Sequence, residues 1–323
     1  MRFTPTSVFL CLCLTIVVVG EVAATSCEKI TMMIGAPAGS NTDLLGRQVL
    51  QKISEKTGET FVVVNRAGAV GLMANEAVAR AKPDGCTLLM ASFSSMTIMP
   101  HMRLRMPYDP QNDLVPVLQL AKFDYVLVSH PSVPVRSVQD LVRIGKKAPG
   151  VLNFGSTGVG SGFHLAAELF AIMADIRILH VPYGGGSAPV LKDILGGHID
   201  VMFASGLVVE PYVKAGRLRM LGTTGRTRNS MYSGIPTIDE AGVRGYEMSG
   251  WIGIFAPKGT PPSMAESINR TFQDTLNTQA MRTLWKNQDV EYTTNSPAEF
   301  AKIVRDAYRS NGELIRKTGI KPE

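Results

Sequence analysis

Lys29-Ile-Thr-Met-Met-Ile-Gly-Ala-Pro-Ala-Gly-Ser-Asn-Thr-Asp43 opens on an apolar run, breaks at Gly35, and passes through small polar residues into a second pattern. There Leu44, Leu45, Val49, Leu50 and Ile53 share one helical face, and Gly58 stops the helix. The unit reads as strand Lys29–Ile34, loop Gly35–Asp43, then helix. The form recurs. Phe61–Val64 reads as a strand, Leu72–Ala81 as a helix, Pro83-Asp84-Gly85 as a turn and Thr87–Met90 as a strand. Strands alternating with helices predict a mainly parallel sheet covered on both faces.

A second series follows. Tyr125–Val128, Leu152–Phe154, Ile178–Val181, Val201–Phe203 and Leu218–Gly222 read as strands. Ser137–Asp140 reads as a capping box for a helix ending near Gly150, and His164–Met173 and Val190–Leu195 read as further helices. The last part is more helical. Thr237–Glu240, Ser263–Glu266 and Ser296–Glu299 read as capping boxes, with strand Trp251–Phe255 between them. Two sheets without a Ser/Gly-rich or Pro-rich linker predict two lobes joined by crossing strands, near 121–126 and 221–226. The expected division is 27–122 plus 226–323 for one lobe and 123–225 for the other.

Residues 1–26 stand apart. Arg2 is the only charge before Glu21, Val8–Gly20 is almost wholly apolar, and Val22-Ala23-Ala24 supplies the small residues of a cleavage site. This is the pattern of a secretory signal, which implies a periplasmic protein. The apolar run is short of the ~20 residues a membrane anchor needs. The net charge is +6, and Arg2 and Glu21 cancel, so the mature chain keeps it. No basic stripe interleaved with aromatics is present, which argues against nucleic acid.

Cys11 and Cys13 leave with the signal; Cys27 and Cys86 remain, each opening a strand. Exported thiols tend to pair, which predicts a disulfide between them. Ala24-Thr25-Ser26-Cys27 also loosely matches a lipoprotein cleavage site, though its usual first Leu is missing. Disulfide, lipidated Cys27 and free thiols are three states that intact mass separates.

The loops after strands carry the chemistry. Gly35–Asp43, Ala91–Thr97, Gly155–Gly162 and Gly184–Ser187 are rich in Gly, Ser and Thr. Gly lets backbone N–H groups approach a ligand, and each following helix presents free N–H groups and a partial positive charge. Such ends converging on one crevice hold a carboxylate without a cationic side chain. The plain alternative is that Gly and Ser are ordinary turn residues.

Enzymatic motifs are lacking. Gly158-Val-Gly160-Ser-Gly162 departs from the dinucleotide spacing, no G-x-S-x-G elbow occurs, and the five histidines are dispersed. His164 reads as a core or capping residue, and Asp43 as a helix-dipole partner before a catalytic base. The Asn269-Arg-Thr271 sequon falls on a helix, and Met96, Met99, Met102 and Met106 read as packing. No cofactor and no metal are expected.

Several ordered motifs carry a resemblance. They include Gly39-Ser-Asn-Thr-Asp43, Val64-Asn-Arg-Ala-Gly-Ala69, Lys82-Pro-Asp-Gly85, Pro107-Tyr-Asp-Pro110 and Ser156-Thr-Gly-Val-Gly-Ser161. Further on come His164-Leu-Ala-Ala-Glu168, His180-Val-Pro-Tyr-Gly184, Gly196-Gly-His-Ile-Asp200, Ile235–Gly242 and Ala256–Pro261. With these the chain resembles the Bug-type periplasmic receptors, the solute-binding components of tripartite tricarboxylate transporters. The resemblance implies an α/β type II periplasmic binding fold, two doubly wound lobes with a ligand cleft between them. It implies a small organic carboxylate as ligand, membrane permease subunits or a sensor kinase as partner, and a monomer. Carried over by position, the ligand residues are Ala38, Gly39, Ser40, Asn41, Thr42 and Asp43 in the first loop. Ser92 follows in the second, Ser156, Thr157, Gly160 and Ser161 in the third, and Gly184, Ser187 and Ala204 beyond.

Three positions depart from the family. Ala36 stands where an aromatic residue is usual, Gly184 where Lys is usual, and Ala204 where Asp is common. That Asp serves ligands with an amino group, so its loss favours plain carboxylates, larger or aromatic ones included.

Overall fold

The computed structural model describes residues 27–184, 186–286, 288, 290–320 and 322. The expected leader, residues 1–26, lies outside them. The strands are β1 (Ile30–Ile34), β2 (Phe61–Asn65), β3 (Thr87–Ser92), β4 (Leu114–Ser129) and β5 (Asn153–Ser156). Then come β6 (Leu179–Pro182), β7 (Val201–Ser205), β8 (Arg219–Thr223), β9 (Ser249–Pro257) and β10 (Glu291–Tyr292). The helices are α1 (Asn41–Thr57), α2 (Leu72–Ala79), α3 (Met99–Met102), α4 (Val138–Lys147) and α5 (Gly162–Ala174). They continue with α6 (Ser187–Leu195), α7 (Gly206–Lys214), α8 (Pro262–Leu276), α9 (Gln279–Lys286) and α10 (Pro297–Thr318).

The strands form two lobes that share β4. Its first part, Leu114–Asp124, pairs antiparallel with β9, and its second, Tyr125–Ser129, pairs antiparallel with β7 and β8. Outward the strands run parallel, β3-β1-β2 on one side and β7-β5-β6 on the other. The expected parallel pattern therefore holds at both flanks, while the centre is antiparallel. The segment after β8 also differs from expectation. Instead of returning to the first lobe, Thr237 bridges to Thr223, and the Tyr246 hydroxyl donates to Ala166 O on α5. The chain comes back only at β9.

The apolar faces explain the helices. α1 turns Leu45, Val49, Leu50 and Ile53 onto the first sheet, where they join Met32, Ile34 and Trp285. Ser40 caps its start by accepting from Asp43 N, and Gly58 ends it in a left-handed turn at φ 78°. α10 begins at a full capping box between Ser296 and Glu299. Other expected boxes fare differently. Asp140 accepts from Arg136 N in place of Ser137 N. Thr237 and Glu240 do exchange both bonds, but they close a turn and no helix follows. α8 begins at Pro262, with Ser263 already inside it, because a proline suits the first helical position. Asn269 of the sequon is buried on α8 and donates to Val117 O and Asn295 O.

Cys27 and Cys86 form a disulfide, with Cα atoms 5.5 Å apart, just ahead of the neighbouring strands β1 and β3. With Sγ so used, Cys27 has no thiol to lipidate in this structure. Among the described residues no helix is long and apolar enough to cross a membrane, and no cluster of metal-ligating side chains occurs.

Candidate functional site

A cleft of about 930 Å³ opens between the lobes. That is near the upper end of small-molecule sites, roughly 300–1,000 Å³. From the first lobe it is lined by Gly35–Thr42 after β1, Ala67–Gly71 after β2 and Ser92–Ser95 after β3. From the second come Thr157–Val159 and Ser161–Phe163 after β5, Tyr183–Gly184 and Gly186–Ala188 after β6, and Ser205 at the end of β7. These are carboxyl ends of strands, and α1, α5, α6 and α7 all start there. Four sets of helix N–H groups and four positive dipole ends thus face one space. At α1 and α5 the Ser40 and Ser161 hydroxyls already accept a backbone N–H, so each retains its own O–H to donate. α6 follows Gly186 at φ 91° with no side-chain cap, so its first N–H groups have no side-chain acceptor. Arg103 is the only charged residue among those described that line the cleft.

A sequence profile described as the tripartite tricarboxylate transporter family receptor matches residues 45–320. The chain belongs to that family. The receptor is 34% identical over 291 residues to a UPF0065 protein in the tcbD-tcbE intergenic region of Pseudomonas sp., covering 90% of this chain and 85% of that protein. It is 30% identical over 299 residues to BugT of Bordetella pertussis, covering 91% and 90%. Among solved structures it is similar to R. palustris Rpa4515 with adipate, at TM-score 0.85 and 32% identity, covering 91% and 98%. It also matches the periplasmic binding protein BugD at TM-score 0.82 and 26% identity, covering 91% and 99%. The two-lobed periplasmic binding fold and the Bug-type resemblance therefore hold for this receptor.

The receptor's cleft gathers Ala38, Gly39, Ser40, Asn41, Thr42, Ser92, Thr157, Ser161, Gly184 and Ser187 from the expected residues. Asn41 has a second task, since its Nδ2 donates to Ser205 Oγ at 2.8 Å and ties one lobe to the other. Asp43, Ser156, Gly160 and Ala204 are not on the cleft wall. Asp43 lies behind the first loop, where Oδ2 accepts from Gly39 N at 2.9 Å and Oδ1 accepts from Arg47 and Asn65. Burial pushes its pKa up, but the hydrogen bonds from Arg47, Gly39 and Asn65 outweigh it and hold the carboxyl below its ordinary value. Asp43 is thus a brace for the loop.

Ser156 is fully buried. Its Oγ pairs with His180 Nε2 at 2.7 Å and with Gly158 N and O, which leaves it folded into its own loop. His180 stacks on His164 at 4.0 Å and on Phe154 at 4.7 Å. Burial, and then electrostatic repulsion from the neighbouring His164 ring, lower His180 to about 3, so it stays neutral at physiological pH. His164 Nδ1 accepts from Gly160 N, which fits the expected core role. Gly160, at φ 76°, packs toward Met99 and Met102 of the first lobe; a Cβ there would come within 2.7 Å of Met99 Sδ. Ala204 is buried in β7 with Val126 and Met202.

Other wall residues escaped the sequence reading. Ala69 and Val70 take left-handed backbone (φ 45° and 56°) in the loop after β2. A β-branched residue there is strained, and such strain clusters at ligand clamps. Ser94–Ile98 forms a π-helix after β3 where the sequence reading saw only a polar loop. The wall also includes Phe93, Phe123, Tyr125, Phe163, Tyr183 and Trp251, and Met99 and Met102 join it, so those two methionines do more than pack. Long-range register brings these residues together, and no local motif marks them.

Proposed function

We propose that this chain is an extracytoplasmic receptor that binds a small organic carboxylate between its lobes and delivers it to a membrane permease without transforming it. The observation that carries this reading is the convergence of four helix N-termini on one cleft, two of them, α6 and α7, without a side-chain cap. Each such end favours an anion by about 0.3–1 kcal/mol, and more where water is excluded. Among the described residues the wall offers no Asp or Glu to an ammonium group, so plain acids suit it better than amino acids. A relative at 32% identity is solved with adipate, a dicarboxylate, which agrees in ligand class.

In the mechanism we favour, ligand binds the N–H groups of one lobe and the other closes over it. Loss of water strengthens each hydrogen bond to the carboxylate. β4 and the return into β9 are the hinge, so we assign 27–124 with 249–320 to one lobe and 125–248 to the other. The signal-like residues 1–26 direct the chain to the periplasm, where it acts as a monomer. The direct test is calorimetry and thermal shift on the mature protein with mono-, di- and tricarboxylates. An acid present at a hundred times its Kd should add about 2.7 kcal/mol of stability. No response to any acid would end the reading, and turnover of a bound acid would replace it with an enzyme. Uptake of the labelled acid lost on deletion supports delivery to a permease; unchanged uptake points to a sensory partner.

A further inference from the structure

Six rings, Phe93, Phe123, Tyr125, Phe163, Tyr183 and Trp251, join aliphatic and methionine side chains in the apolar part of the cleft wall. Phe93 meets Trp251 edge-to-face at 5.8 Å, Tyr125 meets Phe163 at 4.8 Å, and Phe123 meets Tyr125 at 6.0 Å. The rings sit beside the N–H groups of α5. A Cβ at Gly162, the first residue of that helix, would lie 2.4 Å from the Tyr125 hydroxyl oxygen. Trp251 is only 4% exposed, and its buried indole N–H has no hydrogen-bond partner among the described residues. Around the rings the side chains are short, with Ala36, Ala67 and Gly184 on the lining. Among the described residues, the wall thus combines anion-binding amides, the exposed parts of several rings and room, with Arg103 as its only charge.

We propose that the carboxylate this cleft selects carries a flat aromatic body, seated on the walls formed by Phe93, Phe123, Tyr125, Phe163 and Trp251. The inference rests on the carboxylate-receptor reading and narrows it. A ring gains from burial against these walls and from edge-to-face contact with them.

The test titrates the mature protein with benzoate, terephthalate and adipate, adipate being the acid held by the 32% identical neighbour. The expected result is a Kd for at least one aryl acid tenfold or more below that of adipate. Tryptophan fluorescence should change on binding. The chain has two tryptophans, and Trp285 is fully buried in the first-lobe core, so the signal reports Trp251. Phe163→Leu should cost the aryl acid tenfold or more while adipate changes less than twofold, with the circular dichroism unaltered. Adipate binding as tightly as the aryl acids, or both falling together in Phe163→Leu, would overturn the inference and leave the carboxylate reading standing. Silence from every acid would overturn both.

Discussion

Asp43 shows how one residue can look like a ligand contact and act behind it. Its carboxylate accepts from Gly39 N, Arg47 and Asn65, and Asn65 also donates to Ala36 O, so two side chains hold the first loop in shape. Asp43→Asn keeps one acceptor oxygen and turns an amide toward a donor. The expected loss is about 2 kcal/mol, typical for hydrogen bonds to a charged group. Because the folded pKa is lowered, the stabilisation is complete above the unfolded value of 3.8 and is lost as pH falls through the folded one. Denaturation curves of wild type and variant should therefore differ at pH 7 and converge in strong acid. A constant gap across that range would mean the charge is not what matters. The sequence marked Ser40, Asn41 and Asp43 alike, because an N-cap, a cleft side chain and a brace use the same residue types.

At the scale of elements, helix starts were legible where a cap or a proline stood beside an apolar period, as at Ser40 and Ser296. α7 was not, since Pro211 interrupts Gly206–Lys214 and no polar face alternates with an apolar one. Nor was the π-helix at Ser94–Ile98, whose fifth-residue bonding leaves no sequence period of its own. The loop between β5 and α5 carries a further prediction. Gly160 belongs to the second lobe and faces Met99 and Met102 of the first. Gly160→Val adds a β-branched side chain at φ 76° against those methionines and holds the lobes apart. Affinity for any cleft ligand should fall tenfold or more, with a melting temperature within a few degrees of wild type. Unchanged affinity would mean that closure does not bring these surfaces together.

Over the whole molecule, the Cys27–Cys86 bridge closes a loop of 59 residues at the end of β1 and β3 away from the cleft. Chain-entropy arithmetic for that length comes to roughly 4 kcal/mol. Replacing both cysteines with Ser should lower the melting temperature by on the order of 10 °C. Ligand affinity should stay within about twofold. A change below about 2 °C, or two titratable thiols in the exported protein, would show that the bridge contributes nothing. The alternation of strand and helix, the two-lobed class and the small-residue loops after strands were already determined by the sequence, because period, caps and turn residues act over a few positions. Tertiary structure alone decided that β4 joins both sheets, that 228–248 packs on the second lobe, and that rings from distant strands line the cleft. Those outcomes depend on register and packing between segments far apart in the chain, for which no local pattern exists.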